Sequence, residues 1–215
     1  MAARKKATTG KGKAGDKPKP DGGGIVSIPA IKTRSLVVRL VGDSPLICHQ
    51  FGGKSRQEMA DKQAQKVRQG KRAAKNPEQC FRDSLYPMPD GKGYGFPAQA
   101  FKKAAVRACT HIEGMTMVMA RGAFHVVGDL LRIEGDPPRM REDVVRLQGK
   151  TADLRYRGEF PEWRVTLRIR YNEGVISPAH IMNLLNTAGF AVGVGEWRPE
   201  RDGQFGMFHV ERERE

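Results

Sequence analysis

The spacing of apolar positions changes several times along the chain, and each change predicts an element. Ser35–Val41 (SLVVRLV) is β-branched and apolar enough for a buried strand, which Gly42–Asp43–Ser44–Pro45 ends. From Pro97 the spacing is helical: Phe101, Ala104, Ala105, Ala108 and Ile112 share one stripe, with Lys102, Lys103 and Arg107 off it. Ala123–Val127 and Leu130–Ile133 read as strands separated by Gly128–Asp129. Trp163, Val165, Leu167, Ile169 and Tyr171 then alternate with Arg164, Arg168 and Arg170, the period of a strand buried on one face. Ser177–Pro178 is an N-cap followed by a first-turn proline, and predicts a helix through Ile181, Met182, Leu184 and Leu185 to Gly189. A glycine-rich loop, Gly193–Gly206, leads into a last strand over Phe205–Val210.

The collapsed order is strand, helix, strand, strand, helix, strand. It predicts an α+β fold with a modified ferredoxin-like (RRM-like) βαββαβ core. Two stretches stand outside it as inserted arms. The first, at about 50–93, holds a helix-favouring but apolar-poor run over Ser55–Arg72 and a short helix capped by Asn76 and opened by Pro77. The second, at about 136–160, shows only short apolar runs broken by Gly149. Residues 1–24 have no bulky apolar side chain beyond Met1 and carry Arg4, Lys5, Lys6, Lys11, Lys13, Lys17 and Lys19 against Asp16 and Asp21. Such a segment cannot bury enough surface to offset ordering, and predicts a disordered basic arm ahead of a single domain over 25–215.

Charge narrows the function. With 38 Lys and Arg against 24 Asp and Glu, the 215-residue chain carries +14, and the excess is not confined to the arm. Such a charge attracts polyanions and releases counterions on contact. Cys48, Cys80 and Cys109 are odd in number and widely spaced, which argues against a disulfide framework and for a reducing, cytoplasmic setting. No apolar run approaches the roughly 20 residues of a membrane span, and the opening residues lack the apolar stretch of a signal peptide. The His and Cys positions lack zinc spacing, and no phosphate-binding P-loop, Gly-x-Ser-x-Gly or Cys-x-x-Cys motif occurs, so neither a metal nor a cofactor is expected.

Three groups of residues are candidates for phosphate contact. The first is Lys54, Arg56, Lys62, Lys66, Arg68, Lys71, Arg72 and Lys75, set against Glu58 and Asp61; a run of this kind also suits a merely solvated face. The second is Lys102, Lys103 and Arg107 on the predicted helix. The third is the loop GVGEWRPERDGQFG, where Arg198 and Arg201 can pair phosphate, Trp197 can stack on a base, and glycines can let the backbone approach a bulky anion. The loop follows a helix and precedes a strand, the reverse of a dinucleotide fingerprint. The run QFGMFHV is similar to the base-stacking strand of an RNA-recognition motif, although Phe205 and Phe208 would face opposite sides. Catalysis has one weak candidate, His49 beside a turn, with no general acid or base evident as its partner.

Three segments carry a family resemblance: LVVRLVGDSPLICH (Leu36–His49), YGFPAQAFKKAAVRA (Tyr94–Ala108) and the C-terminal glycine-rich loop before the last strand. In them the chain resembles the RAMP superfamily (repeat-associated mysterious proteins), especially backbone subunits of CRISPR effector complexes. A stand-alone, phage-encoded relative would look the same. The loop departs from the family pattern in its longer charged middle, Glu196–Asp202. The resemblance implies binding of single-stranded RNA through the sheet face, the loop and the inserted arms, with copies lined up head to tail. The expectation is a non-catalytic protein that binds single-stranded RNA or DNA and self-associates along the strand. Two alternatives remain: a metal-independent RAMP-like endoribonuclease, since some members use a histidine, and a phage structural or assembly protein whose tail touches nucleic acid.

Overall fold

Along the chain come β1 (Thr33–Gly42), β2 (Leu46–Cys48), α1 (Pro77–Ser84), β3 (Tyr86–Pro87), β4 (Tyr94–Pro97), α2 (Ala98–Ala108), α3 (Met117–Ala123), β5 (Phe124–Val126), β6 (Leu130–Arg132) and β7 (Glu134–Gly135). A long hairpin comes next, β8 (Arg139–Leu147) and β9 (Thr151–Phe160), and then β10 (Trp163–Asn172), α4 (Pro178–Ala191) and β11 (Phe208–Val210). This computed structural model describes residues 28–50, 59–61, 63–64, 75–147 and 151–211. The chain divides into two units, Met1–Ala30 and Ile31–Glu215, and all of these elements belong to the second.

The main sheet has the lateral order β11-β1-β10-β5, every pair antiparallel, with β7 added beside the start of β10. In the chain, α2 falls between β1 and β5, and α4 between β10 and β11. A second sheet runs β2-β9-β8 and a third β3-β4-β6.

Alternation along β10 decides which face is covered. Trp163, Val165, Leu167, Ile169 and Tyr171 are buried, while Arg164, Thr166, Arg168 and Arg170 are exposed. The helices cover the apolar face. On α2, Ala98, Ala104, Ala105 and Ala108 are buried, small enough for close packing, and Phe101 fills the centre. The Phe101 ring meets Phe96, Phe208 and Trp163 at centroid distances of 6.0, 5.7 and 6.3 Å. Burying such a ring contributes about 1.5–3 kcal/mol. On α4, a Cβ at Gly189 would lie 1.7 Å from the Phe208 carbonyl oxygen, so the missing side chain lets the helix rest directly on β11. Ser177 accepts from the His180 amide at 3.3 Å, the predicted N-cap.

Several expectations are corrected in detail. The arm expected at 136–160 takes the form of a hairpin, β8–β9, paired from Arg139↔Glu159 to Leu147↔Thr151. Its alternation is hidden in the sequence because one face is made of charges that neutralise each other: Arg157 and Glu159 are buried, and Asp143, Arg141 and Arg139 pair with them at 2.9–3.2 Å. The run Leu130–Ile133 does not join the main sheet. Gly128 takes φ +100° and the chain turns to pair β6 with β4. Ile112 leaves the buried stripe, being 36% exposed, because the helix gives way to a 3-10 turn at Cys109–His111. The last strand is Phe208–Val210 rather than Phe205–Val210. Asn76 does cap α1, accepting from the Gln79 amide at 3.1 Å, and Ser84 Oγ accepts from the Gly158 amide at 2.7 Å to seat that helix on β9.

Candidate nucleic-acid interface

The glycine-rich segment folds first upon itself. Helix α4 ends as the Gly193 amide donates to the Ala188 carbonyl at 2.8 Å, with Gly193 at φ +68°. A Cβ at Gly195 would lie 2.6 Å from the Ile47 carbonyl oxygen, one at Gly203 1.7 Å from that of Trp197, and one at Gly206 1.8 Å from that of Val194. The glycines therefore bring the loop against its own backbone and against β2. These contacts give Gly195, Gly203 and Gly206 a packing role, while Gly193 and Gly195 also line the cleft described next. Trp197 and Asp202 hold positive φ, +53° and +58°, and the turn Pro199–Arg201 lies between them.

Between this loop and α2 runs a cleft of about 830 Å³. Its walls bring together five residues singled out from the sequence: Lys102, Lys103 and Arg107 from α2, and Arg198 and Arg201 from the loop. Arg121 from α3 joins them, and Glu200 is the one carboxylate among the lining residues. Trp197 is 40% exposed and does not line the cleft.

The cations divide into held and free. Arg107 Nε donates to Glu200 Oε1 at 2.5 Å, and Arg198 donates to Glu200 Oε2 from Nε at 3.1 Å and from Nη2 at 2.9 Å. Arg198 Nη1 donates to the Gly195 carbonyl at 3.1 Å. The hydrogen bond from Arg107, assisted by Arg198 and opposed by burial, holds the Glu200 carboxyl below its ordinary range. Lys102 Nζ donates to the Arg121 carbonyl at 3.0 Å and meets His125 Nδ1 at 2.8 Å; burial lowers its pKa. Among the described residues, Lys103, Arg121 and Arg201 form no ion pair.

A second basic surface is the uncovered face of the main sheet. Arg164, Arg168 and Arg170 project from β10 beside Val41, Val37 and Ser35 of β1, and His125 on β5 stands opposite Arg170. Among the described residues these three arginines form no ion pair, whereas Arg39 on the same face is held by Glu134 at 3.2 Å and Glu211 at 3.3 Å. They are not among the candidates read from the sequence. The signal was the arginine alternation in WRVTLRIRYN, which marks an exposed row as plainly as a buried one. The likeness to a base-stacking strand is corrected here. Phe208 is buried beneath the sheet and His209 is the exposed residue of β11, while Phe205 packs under Arg141 at 4.6 Å.

His49, the weak catalytic candidate, does have a partner. Its Nδ1 lies 3.5 Å from Glu196 Oε1, and Glu196 reaches the buried Arg157 at 3.6 Å. The hydrogen bond with His49 is the chief reason that the Glu196 carboxyl lies below its ordinary range. This network ties the loop to the β8–β9 hairpin, where the buried Arg157 requires anionic partners. Among the described residues no cluster of His, Cys, Asp or Glu could hold a metal ion, and no helix is long and apolar enough to cross a membrane. Lys54, Arg56, Lys62, Lys66, Arg68, Lys71 and Arg72 lie outside the described residues. Lys75 is paired with Asp153 and also donates to the Leu154 carbonyl at 2.8 Å.

The main antiparallel sheet, with helices on one face and a glycine-rich loop before its last strand, makes an α+β fold that is also found in a solved structure. The likeness is to a chain in the cryo-EM structure of the type III-B Cmr-beta bound to cognate target RNA. The TM-score is 0.50 and the identity 11%, over 84% of this chain and 60% of that one, so the chain spans less than two thirds of its length. Cmr6 from Pyrococcus furiosus aligns with a TM-score of 0.44 and 10% identity, over 85% of this chain and 100% of that one. No protein-family model matches the sequence, and no curated protein matches it.

Proposed function

We propose that this protein binds single-stranded RNA through its phosphate backbone without cutting it, several copies lining one strand. The observation that carries this reading is the cleft between α2 and the loop, lined by six Lys and Arg side chains and one carboxylate. The row of Arg164, Arg168 and Arg170 adds a second phosphate-binding surface. With no Phe, Tyr or Trp exposed on that face among the described residues, contacts there are to backbone rather than bases. The RNA held by the Cmr-beta assembly supports RNA over DNA as the ligand. The engagement of His49 by Glu196 supports a structural role for that histidine.

The test is fluorescence anisotropy with matched RNA and DNA single strands across a salt series, with the strands checked for cleavage on a gel. Binding should weaken with salt and prefer RNA, and the strands should stay intact. Lys103→Ala with Arg201→Ala should lower the slope of log K against log salt by about 1.4, because each single-strand phosphate contact contributes about 0.7. Salt-independent binding, or none, would remove the basis of this reading; specific cleavage lost in His49→Ala would establish the nuclease instead.

A further inference from the structure

Within the cleft, the Glu200 carboxylate joins two walls. One oxygen takes the Arg107 guanidinium of α2 at 2.5 Å, and the other takes the Arg198 guanidinium of the loop at 2.9 and 3.1 Å. Two guanidiniums converging from opposite sides on a planar anion is the arrangement that also holds a phosphate, which offers the same oxygen acceptors and more charge. Arg198 has one anchor besides Glu200, since its Nη1 donates to the Gly195 carbonyl at 3.1 Å. Among the described residues the carboxylate itself is held by these two guanidiniums alone. Its backbone belongs to the short turn Pro199–Arg201, held by the Glu200 amide donating to the Val192 carbonyl at 3.2 Å. Lys103 and Arg201 line the same cleft without an ion pair among the described residues, so an incoming anion meets an excess of positive charge there.

We propose that Arg107 and Arg198 form a discrete subsite for one phosphate of a nucleic-acid strand, and that Glu200 fills it as an internal substitute until that phosphate displaces it. This rests on the nucleic-acid-binding reading above and adds a restraint to it. A ligand that must displace Glu200 binds with its intrinsic affinity reduced by the fraction of molecules in which the subsite is open. Glu200→Gln keeps the shape of the side chain and removes the charge that competes. A purely structural Glu200, clamping the loop to α2, would give the opposite result, because its loss would loosen the cleft.

The experiment compares wild type, Glu200→Gln, Arg107→Ala and the Arg107→Ala/Glu200→Gln double variant in the full chain. The probe is a short U-rich oligoribonucleotide, with and without a 5′-phosphate, and melting temperature is measured on each variant. Glu200→Gln should bind about 3- to 30-fold more tightly, on the strength of two partly exposed ion pairs. The gain should disappear in the double variant. Equal gains with and without the 5′-phosphate assign the subsite to an internal phosphodiester; a gain confined to the phosphorylated strand assigns it to a strand end. Wild-type binding with no gain in folded Glu200→Gln overturns the proposal, whereas failure of the wild type to bind any single strand overturns the wider reading instead. If Glu200→Gln does not fold, carbon-13 titration of the wild-type Glu200 carboxyl decides. Its depressed pKa should rise toward the ordinary 4.5 when RNA saturates the protein, and a value that stays depressed in the complex refutes displacement.

Discussion

Replacing Arg164, Arg168 and Arg170 together by Thr asks whether the open sheet face meets nucleic acid. All three side chains point to solvent and form no ion pair among the described residues, and Thr166 already occupies the same row. Threonine suits a strand, and exposed substitutions of this kind usually stay within about 0.5 kcal/mol each, so the fold should persist. The effect on binding comes from counterion release. If each arginine holds one phosphate, each contributes about 0.7 to the salt slope, a factor of about 4 in affinity at ~0.15 M salt. Losing three contacts should therefore weaken binding about 50-fold at ~0.15 M and about 500-fold at ~0.05 M, and lower the slope by about 2. Arg39→Thr is the internal control: Glu134 and Glu211 already hold Arg39, so its removal should cost less than any one of the three. Anisotropy over a salt series reads the affinities, and thermal melting confirms the fold. A triple variant with unchanged slope and unchanged melting temperature would show that this face touches no phosphate.

Further outcomes are expected. Removal of residues 1–24 should weaken binding to every sequence alike and lower the salt slope, with melting temperature nearly unchanged; a large drop in melting temperature would show that the arm packs on the domain. Trp197→Ala should weaken single-strand binding about 5- to 100-fold if a base stacks on the ring. Unchanged affinity with a sharply lowered melting temperature would instead make Trp197 a structural anchor. Acid should destabilise the protein through Glu196 and Glu200, whose carboxyls are held below the ordinary 4.5 chiefly by His49 and Arg107 respectively. Because their folded-state pKa values are depressed, they contribute stability that is present above about pH 4.5 and lost as the pH falls through the folded values. In acid the melting temperature should therefore fall less steeply in a Glu196→Gln/Glu200→Gln variant than in wild type; an identical decline in both proteins would refute this assignment.

Elements with one wet and one dry face were legible in the sequence, and those built from compensated charge were not. The alternation in β10 and the alanine-rich stripe of α2 predicted both the burial and the opposite polar face, because one residue period fixes both. The β8–β9 hairpin escaped notice because Arg157 and Glu159, buried as ions, read as exposed positions until their cross-strand partners are known. The site was half legible. Lys102, Lys103, Arg107, Arg198 and Arg201 converge on one cleft although nearly a hundred residues separate the two groups. What the sequence could not disclose is that Glu200 neutralises two of them, since pairing across the cleft depends on how the loop after α4 comes to rest. The loop glycines suggest ligand access in the sequence; their close contacts with Ile47, Trp197 and Val194 add a packing role that only the folded loop discloses.

The arginine row on β10 covers six residue steps, about 20 Å of strand. That is a short ruler. On the proposed reading, one copy holds only a few phosphates along it, and a handful of screened contacts gives brief residence at physiological salt. Tight occupancy then has to come from number rather than depth. If neighbouring copies on the same strand also contact one another, as proposed, a copy that lets go stays tethered to its neighbours and rebinds at a high effective concentration. Affinity should therefore rise steeply with oligonucleotide length once a strand can seat a second copy, and remain modest on strands that seat only one.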